Sequence, residues 1–181
     1  MIMAKIYYVI GASGAGKDSI MAYARQKVSG DTPAIFCHRY ITRAADAGGE
    51  NHIALTDREF EIRKNRGCFA MNWQSHGHQY GIGVEIHDWL KADLNVIVNG
   101  SRAYLNEALM AFPEMIPVLI NVSDDMLFHR LKARGRESVP DIKSRIQRSQ
   151  SLEPIVHSNL IIIENNSELA TAGDALVELI A

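Results

Sequence analysis

The sequence predicts an α/β domain, a five-stranded and mainly parallel sheet with helices on both faces. Three observations predict it. Short, continuous apolar runs alternate with helix-like segments, the pattern of strands covered on both sides. A glycine-rich stretch, Gly11-Ala12-Ser13-Gly14-Ala15-Gly16-Lys17-Asp18-Ser19, joins the first of these runs to the first helix-like segment. Residues 41–92 then interrupt the alternation with a polar, glycine-containing passage and a different style of strand.

The strands expected in the main sheet are Lys5–Ile10, Ala34–Tyr40, Leu94–Val98, Ile116–Val122 and Asn159–Ile163. Between them, Ile20–Lys27 reads as a helix following the glycine-rich turn. Ser101–Phe112 and Asp124–Arg134 each follow or open on a serine suited to capping, Ser101 and Ser123. Pro140–Leu152 starts with proline in its first turn, where the missing N–H costs little, and Ser167–Ile180 closes the chain. Within 41–92, Ile53-Ala54-Leu55 leads into the capping box Thr56-Asp57-Arg58-Glu59. Alternating residues from Phe69 to Tyr80 predict antiparallel strands, and a short helix follows near Glu85–Lys91. This passage reads as a small α+β insertion at the mouth of a site.

At 181 residues and 47% hydrophobic, the chain suits one domain over 1–181 with an ordinary core. A formal net charge of −2 offers no global basic surface for nucleic acid or an anionic membrane. The two cysteines, Cys37 and Cys68, lack metal-type spacing and suit a reducing, cytoplasmic setting. The first strand begins within a few residues of Met1, which leaves no room for a secretion signal, and no apolar run is long enough to span a bilayer. A homodimer is compatible with this composition.

Strand, glycine-rich turn and helix in that order form a phosphate cradle. The backbone N–H groups of residues 11 to 16 point inward, the helix start adds its positive dipole end, and Lys17 adds a full charge. A nucleoside triphosphate, ATP or GTP, is the expected guest, bound by Gly11, Ala12, Ser13, Gly14, Ala15, Gly16, Lys17, Asp18 and Ser19. Asp18 occupies the place where a hydroxyl residue usually meets Mg²⁺, with Ser19 one residue later. Ser19 can serve the metal, and Asp18 either holds it as a hard oxygen ligand or is an acid favoured by the helix dipole. A nucleophile elbow is excluded because Ala15 stands where that motif needs glycine. A regulatory GTPase is disfavoured because the chain has no Asn-Lys-x-Asp run.

Arg130, Arg134, Arg136, Arg145 and Arg148 cluster around the polar loop Arg134-Gly135-Arg136-Glu137-Ser138-Val139. Arginines on a closing lid, about 134–140, neutralise charge on a transferring phosphoryl group. Together with the phosphate loop and the insertion, they resemble the guanylate-kinase branch of the nucleoside monophosphate kinases over essentially the whole chain. The matching residues are Thr42-Arg43, Gly49-Glu50, Phe60, Gly67 with Phe69, Tyr80-Gly81, Arg130-Leu131 and Arg134-Gly135. The resemblance implies a P-loop kinase fold with ATP and Mg²⁺ as cofactors and the insertion as acceptor-binding part. It implies that Arg43 and Tyr80 grip the acceptor phosphate, Arg130 lies over the adenine, and Arg134 and Arg145 join Lys17 on the transferring phosphate.

The departures from that branch narrow the reading. Guanylate kinases read guanine with a glutamate and a hydroxyl residue, and the aligned positions here are Met71 and Ile82. Neither can bond to guanine's N–H groups, so a reader of polar edges is missing. The aspartate common after the third strand is absent as well, with Asn99-Gly100-Ser101-Arg102 in its place. Those four residues, the runs 16–19, 41–50 and His52-Ile53-Ala54-Leu55, and the strand Asn159-Leu160-Ile161-Ile162 are similar to ribose 1,5-bisphosphate phosphokinases. That resemblance implies phosphoryl transfer from ATP to ribose 1,5-bisphosphate, in phosphonate breakdown and nucleotide-precursor supply.

A phosphate acceptor is largely a dianion at neutral pH, so no general base is required. A hydroxyl acceptor, as in a sugar-acid kinase, would favour a carboxylate base, with Asp46 or Glu50 as candidates. A nucleoside monophosphate kinase is the other catalytic alternative. A module that only binds protein would usually have lost the phosphate loop, which this chain keeps with Lys17. A bisphosphate also needs a seat for its second phosphate, expected from Arg39, Arg102, His52 or His78. A metal pair at His76 and His78 is conceivable if both lie on one face of a strand. Met71, Trp73 and Trp89 are expected to be packing residues.

Overall fold

The first apolar run forms β1 (Ile6–Gly11), and the glycine-rich turn delivers the chain directly into α1 (Lys17–Lys27). The computed structural model describes residues 4–47, 50–135, 137–150 and 154–181, so Gly49, Arg136 and Leu152, named above, lie outside the described residues. The apolar run expected to be one strand from Ala34 to Tyr40 is split. β2 (Ala34–Phe36) ends after Cys37 donates its N–H to the Ile97 carbonyl, and β3 (Tyr40–Ile41) belongs to a different sheet. His38 and Arg39 lie at the break, because a strand covered on both faces has no place for a guanidinium. The break carries Arg39 away from the sheet, where its carbonyl accepts from Ile53 N at 2.8 Å.

The insertion supplies β4 (Ile53–Ala54), α2 (Asp57–Asn65), β5 (Phe69–Ser75), β6 (His78–Gly83) and α3 (Ile86–Lys91). The Thr56 capping box is formed, with the Thr56 hydroxyl accepting from Glu59 N and the Glu59 carboxylate accepting from Thr56 N at 2.8 Å. Such a cap contributes about 1 kcal/mol. β5 and β6 form the expected antiparallel hairpin, and the small sheet runs β4-β3-β6-β5. Phe60 of α2 has no exposed surface and stacks on Phe69 of β5, with ring centroids 4.6 Å apart.

The chain then returns to the main sheet with β7 (Asn95–Asn99), α4 (Leu105–Ala111), β8 (Ile116–Asn121), α5 (Asp124–Arg134), α6 (Val139–Gln150), β9 (Ile161–Glu164) and α7 (Leu169–Ile180). Ser123 caps α5 as expected, its hydroxyl accepting from Met126 N. Ser101 caps nothing. Its backbone N–H donates to the Tyr8 hydroxyl at 3.0 Å, and a turn of 3-10 helix (Arg102–Tyr104) stands before α4.

The main sheet has the order β2-β7-β1-β8-β9, and every pairing is parallel, for instance Ile6 with Val96, Val9 with Val118 and Val118 with Ile161. β1 alternates between two cores. Tyr8 and Ile10 pack with Val96, Val98 and Leu105, while Tyr7 and Val9 pack with Ile20, Ala24 and Leu176. Full burial contributes about 1.5–3 kcal/mol for each large aliphatic side chain. The carboxyl ends of β1 and β7 therefore bring Gly11 and Asn99 to one rim of the sheet, where an α/β sheet binds its ligands.

Candidate active site

At that rim the loop between β1 and α1 is wound by glycines in the left-handed region, Gly14 at φ 97° and Gly16 at φ 90°. A Cβ on Gly14 would stand 2.9 Å from the methyls of Leu127 and Leu131, so α5 packs directly under the loop. Ala15 N donates to the Ala12 carbonyl at 2.9 Å and closes the turn. From below, the Ala15 carbonyl accepts from Asn165 Nδ2 at 2.6 Å and from Arg130 Nη1 at 3.4 Å. Arg130 also donates to the Asn165 carbonyl at 2.9 Å, so it is fastened to the underside of the loop.

Lys17 opens α1 with its side chain only 17% exposed, and its nearest carboxylate, Asp18, is 3.9 Å away. Burial holds the Lys17 ammonium below its ordinary pKa, an effect that Asp18 partly opposes. A buried cation so thinly neutralised has room for an anion beside it.

Between α1 and the break after β2 lies a cleft of about 150 Å³ whose walls include Asp18, Arg25, Cys37, Arg39, Glu50 and Asn99. Arg39 and Glu50 form a two-point ion pair in which both side chains are 12% exposed. The Arg39 guanidinium lies over the Tyr80 ring at 5.0 Å. Asn99 joins the pair to the phosphate loop, its Nδ2 donating to Glu50 Oε2 at 2.6 Å and to Asp18 Oδ1 at 2.9 Å. Two carboxylate acceptors fix which way the amide faces, and its Oδ1 is buried without a partner. Burial pushes the Cys37 thiol up to about 12, so it is no thiolate nucleophile.

The other residues expected to hold substrate divide into two groups. His52 is buried behind Arg43, with Nε2 at 3.0 Å from the Arg43 carbonyl and Nδ1 at 3.5 Å from Arg43 Nη2. It therefore buttresses Arg43, whose Nε is buried and unpartnered. Tyr80 is the platform under Arg39 and stacks on Trp73 at 5.5 Å. His78 bonds to the Thr42 carbonyl at 2.7 Å and lines a separate surface depression, and Arg102 sits in the 3-10 turn beyond β7. Of the four cations expected to seat a second phosphate, Arg39 alone lines the cleft. His76 is at the hairpin turn, with φ 49°, and His78 is in β6, so the premise of a histidine pair on one strand face is not met.

Met71 and Ile82, the positions of the missing base reader, are cross-strand partners on β5 and β6, exposed by 1% and 0%. Both belong to the core with Trp73, and Trp89 packs against it. On the opposite side of the phosphate loop, Arg145 of α6 donates to the Ser13 hydroxyl at 2.9 Å and pairs with Glu137. Arg134 is exposed at the end of α5.

Sequence reasoning did not single out Asn99, Asn165, Arg25 or Cys37 as parts of the site. Asn99 was readable as the replacement for an expected aspartate, and Arg25 as the helical i+7 partner of Asp18. The donor set suits a nucleotide and its metal. Lys17 and the glycine-wound loop at the start of α1 match phosphate oxygens, and Ser19 with Asp18 offers the hard oxygens that Mg²⁺ prefers.

Fold and site define a P-loop kinase of the guanylate-kinase shape. Guanylate kinase from Anaplasma phagocytophilum superposes with a TM-score of 0.67 at 12% identity, covering 99% of this chain and 87% of that one. No protein-family model matches the chain. Ribose 1,5-bisphosphate phosphokinase PhnN from Psychromonas ingrahamii is 52% identical over 97% of this chain and 89% of its own length. The enzymes of that name from Desulfomicrobium baculatum and Yersinia pestis are 49% and 42% identical, each over 98% of this chain and more than nine-tenths of their own. The chain belongs to the ribose 1,5-bisphosphate phosphokinase family.

Proposed function

We propose that the protein transfers the γ-phosphoryl group of ATP to the 1-phosphate of ribose 1,5-bisphosphate, giving 5-phosphoribosyl 1-diphosphate and ADP. An oxygen of the 1-phosphate forms a new bond to the γ-phosphorus, and the bond to the β,γ-bridging oxygen breaks. The observation that carries this reading is the Met71–Ile82 pair, which puts two buried apolar side chains where a purine reader would stand. Likeness to guanylate kinase extends to the fold, and likeness to the bisphosphate kinases extends to the sequence of nearly the whole chain.

The acceptor's second proton leaves near pH 6, so at neutral pH it is mostly a dianion and no side chain needs to accept a proton. The task is to hold two polyanions in line. Lys17 and the loop amides would bind the β- and γ-phosphates, Arg43 the acceptor phosphate, and Arg134 and Arg145 the charge that spreads in the transition state. Mg²⁺, held by Ser19 and Asp18, would neutralise part of the charge on the triphosphate. The small sheet would act as the acceptor-binding part and residues 134–140 as the lid. A cytoplasmic role in phosphonate breakdown suits the two free thiols and helices too short and polar to cross a membrane among the described residues.

Phosphorus NMR of the purified protein with ATP, Mg²⁺ and ribose 1,5-bisphosphate tests the reading. A new pair of coupled diphosphate doublets besides those of ADP is expected, and GMP should leave ATP unconsumed. Brisk turnover of GMP with none of the bisphosphate would overturn it in favour of a nucleoside monophosphate kinase.

A further inference from the structure

An acceptor with a phosphate at each end needs two anion seats, and the cleft beside α1 supplies the second from a residue outside the phosphate loop. Asp18, Met21, Ala22 and Arg25 line it at positions i, i+3, i+4 and i+7 of α1. One face of the helix thus runs from the loop outward, and Arg25 stands roughly 10 Å along the axis from Asp18. The C1 and C5 phosphates of a furanose ring leave from opposite ends of the sugar and can reach a comparable separation. The Arg25 guanidinium is held over the Phe36 ring at 5.3 Å, which fixes its plane and leaves its N–H edge open. Among the described residues Arg25 forms no ion pair, whereas Arg39 across the cleft is committed to Glu50. Glu50, joined to Asp18 by Asn99, lines the stretch between the two anion seats, where a carboxylate repels phosphate and accepts hydrogen bonds from sugar hydroxyls.

We propose that Arg25 seats the distal phosphate of the acceptor, with the sugar hydroxyls over Glu50 and the reacting phosphate at the Lys17 end. The proposal rests on the reaction given above, and it makes Arg25 the residue by which the enzyme selects a bisphosphate.

The test is steady-state kinetics of the full chain and its Arg25→Ala, Arg25→Gln and Arg25→Lys variants, with ribose 5-phosphate and ribose 1-phosphate as competitors. Ribose 5-phosphate keeps the distal phosphate and lacks the acceptor, and ribose 1-phosphate does the reverse. Arg25→Ala should raise the KM for the bisphosphate and the inhibition constant of ribose 5-phosphate by about ten- to a hundredfold. The KM for ATP and the inhibition constant of ribose 1-phosphate should stay at wild-type values, and Arg25→Lys should recover part of the loss. Arg25 is exposed on a helix, so Arg25→Ala should melt with the wild type, and Arg25→Gln carries the same test if it does not. An unchanged KM, or equal weakening of both monophosphates, overturns the proposal while wild-type turnover leaves the reaction standing. A wild type that does not turn over the bisphosphate removes the reaction and the proposal together.

Discussion

Asn99 shows how one side chain can decide whether a site holds together. Its amide gives both protons to carboxylates, Asp18 at the start of α1 and Glu50 ahead of β4. An aspartate in the same place would have nothing to donate and would add a third negative charge at 6% exposure. Asn99→Asp should therefore destabilise the protein by roughly 3 kcal/mol near neutral pH. Like charges and burial raise the pKa of the new carboxyl in the folded state, so the folded protein binds more protons than the unfolded one above about pH 4. Stability then falls as pH rises, and the deficit against wild type should be larger at about pH 8 than at about pH 5.5. Urea midpoints at the two values measure it, and an equal deficit at both would show that the amide is not the bridge.

Among the elements, α5 and α6 flank the polar loop and pack on each other through Leu127, Leu131, Ile142 and Ile146. Among the described residues α6 reaches the phosphate loop through this cluster, against which Ala12 packs, and through Arg145, which is shared between Ser13 and Glu137. The Arg145–Glu137 pair is about one-third exposed on each side, so it adds at most about 1 kcal/mol to stability. Its positive charge has a larger effect if it turns onto the transferring phosphate. Arg145→Ala should lower kcat by at least about a hundredfold and leave the melting temperature within a degree or two of wild type. A kcat within about tenfold of wild type would reduce Arg145 to a tether between α6 and the phosphate loop.

The sequence makes the phosphate loop, the alternation of the main sheet, the hairpin and the Thr56 cap readable, because each is set by residues close together in the chain. His38 and Arg39 mark the break after Cys37 locally, but the change of sheet is hidden, because β3 pairs with β6, forty residues on. The idle Ser101 is hidden too, since the Tyr8 hydroxyl that takes its backbone comes from another strand. Arg25 resembles any solvated helical charge until the cleft wall is seen.

Across the whole molecule the phosphate site costs stability that its ligand returns. Lys17 is buried with a carboxylate at 3.9 Å as its nearest counter-charge, and burial lowers its pKa from the ordinary 10.5. In the window between the lowered value and 10.5 the unfolded chain binds more protons than the folded one, so the penalty shrinks as pH rises. Replacing the ammonium by an apolar chain of similar length removes the penalty. Lys17→Met should raise the stability of the nucleotide-free protein at neutral pH by about 1 kcal/mol, about 3 °C in melting temperature. That gain should fade toward pH 10.5, while turnover and the thermal stabilisation by ATP are lost. Urea unfolding of both proteins at about pH 7.5 and about pH 10 separates the effects. A variant less stable than wild type at the lower pH, or a gap that does not narrow, would show that Lys17 is already neutralised in the resting site and that the loop is not held ready for an incoming anion.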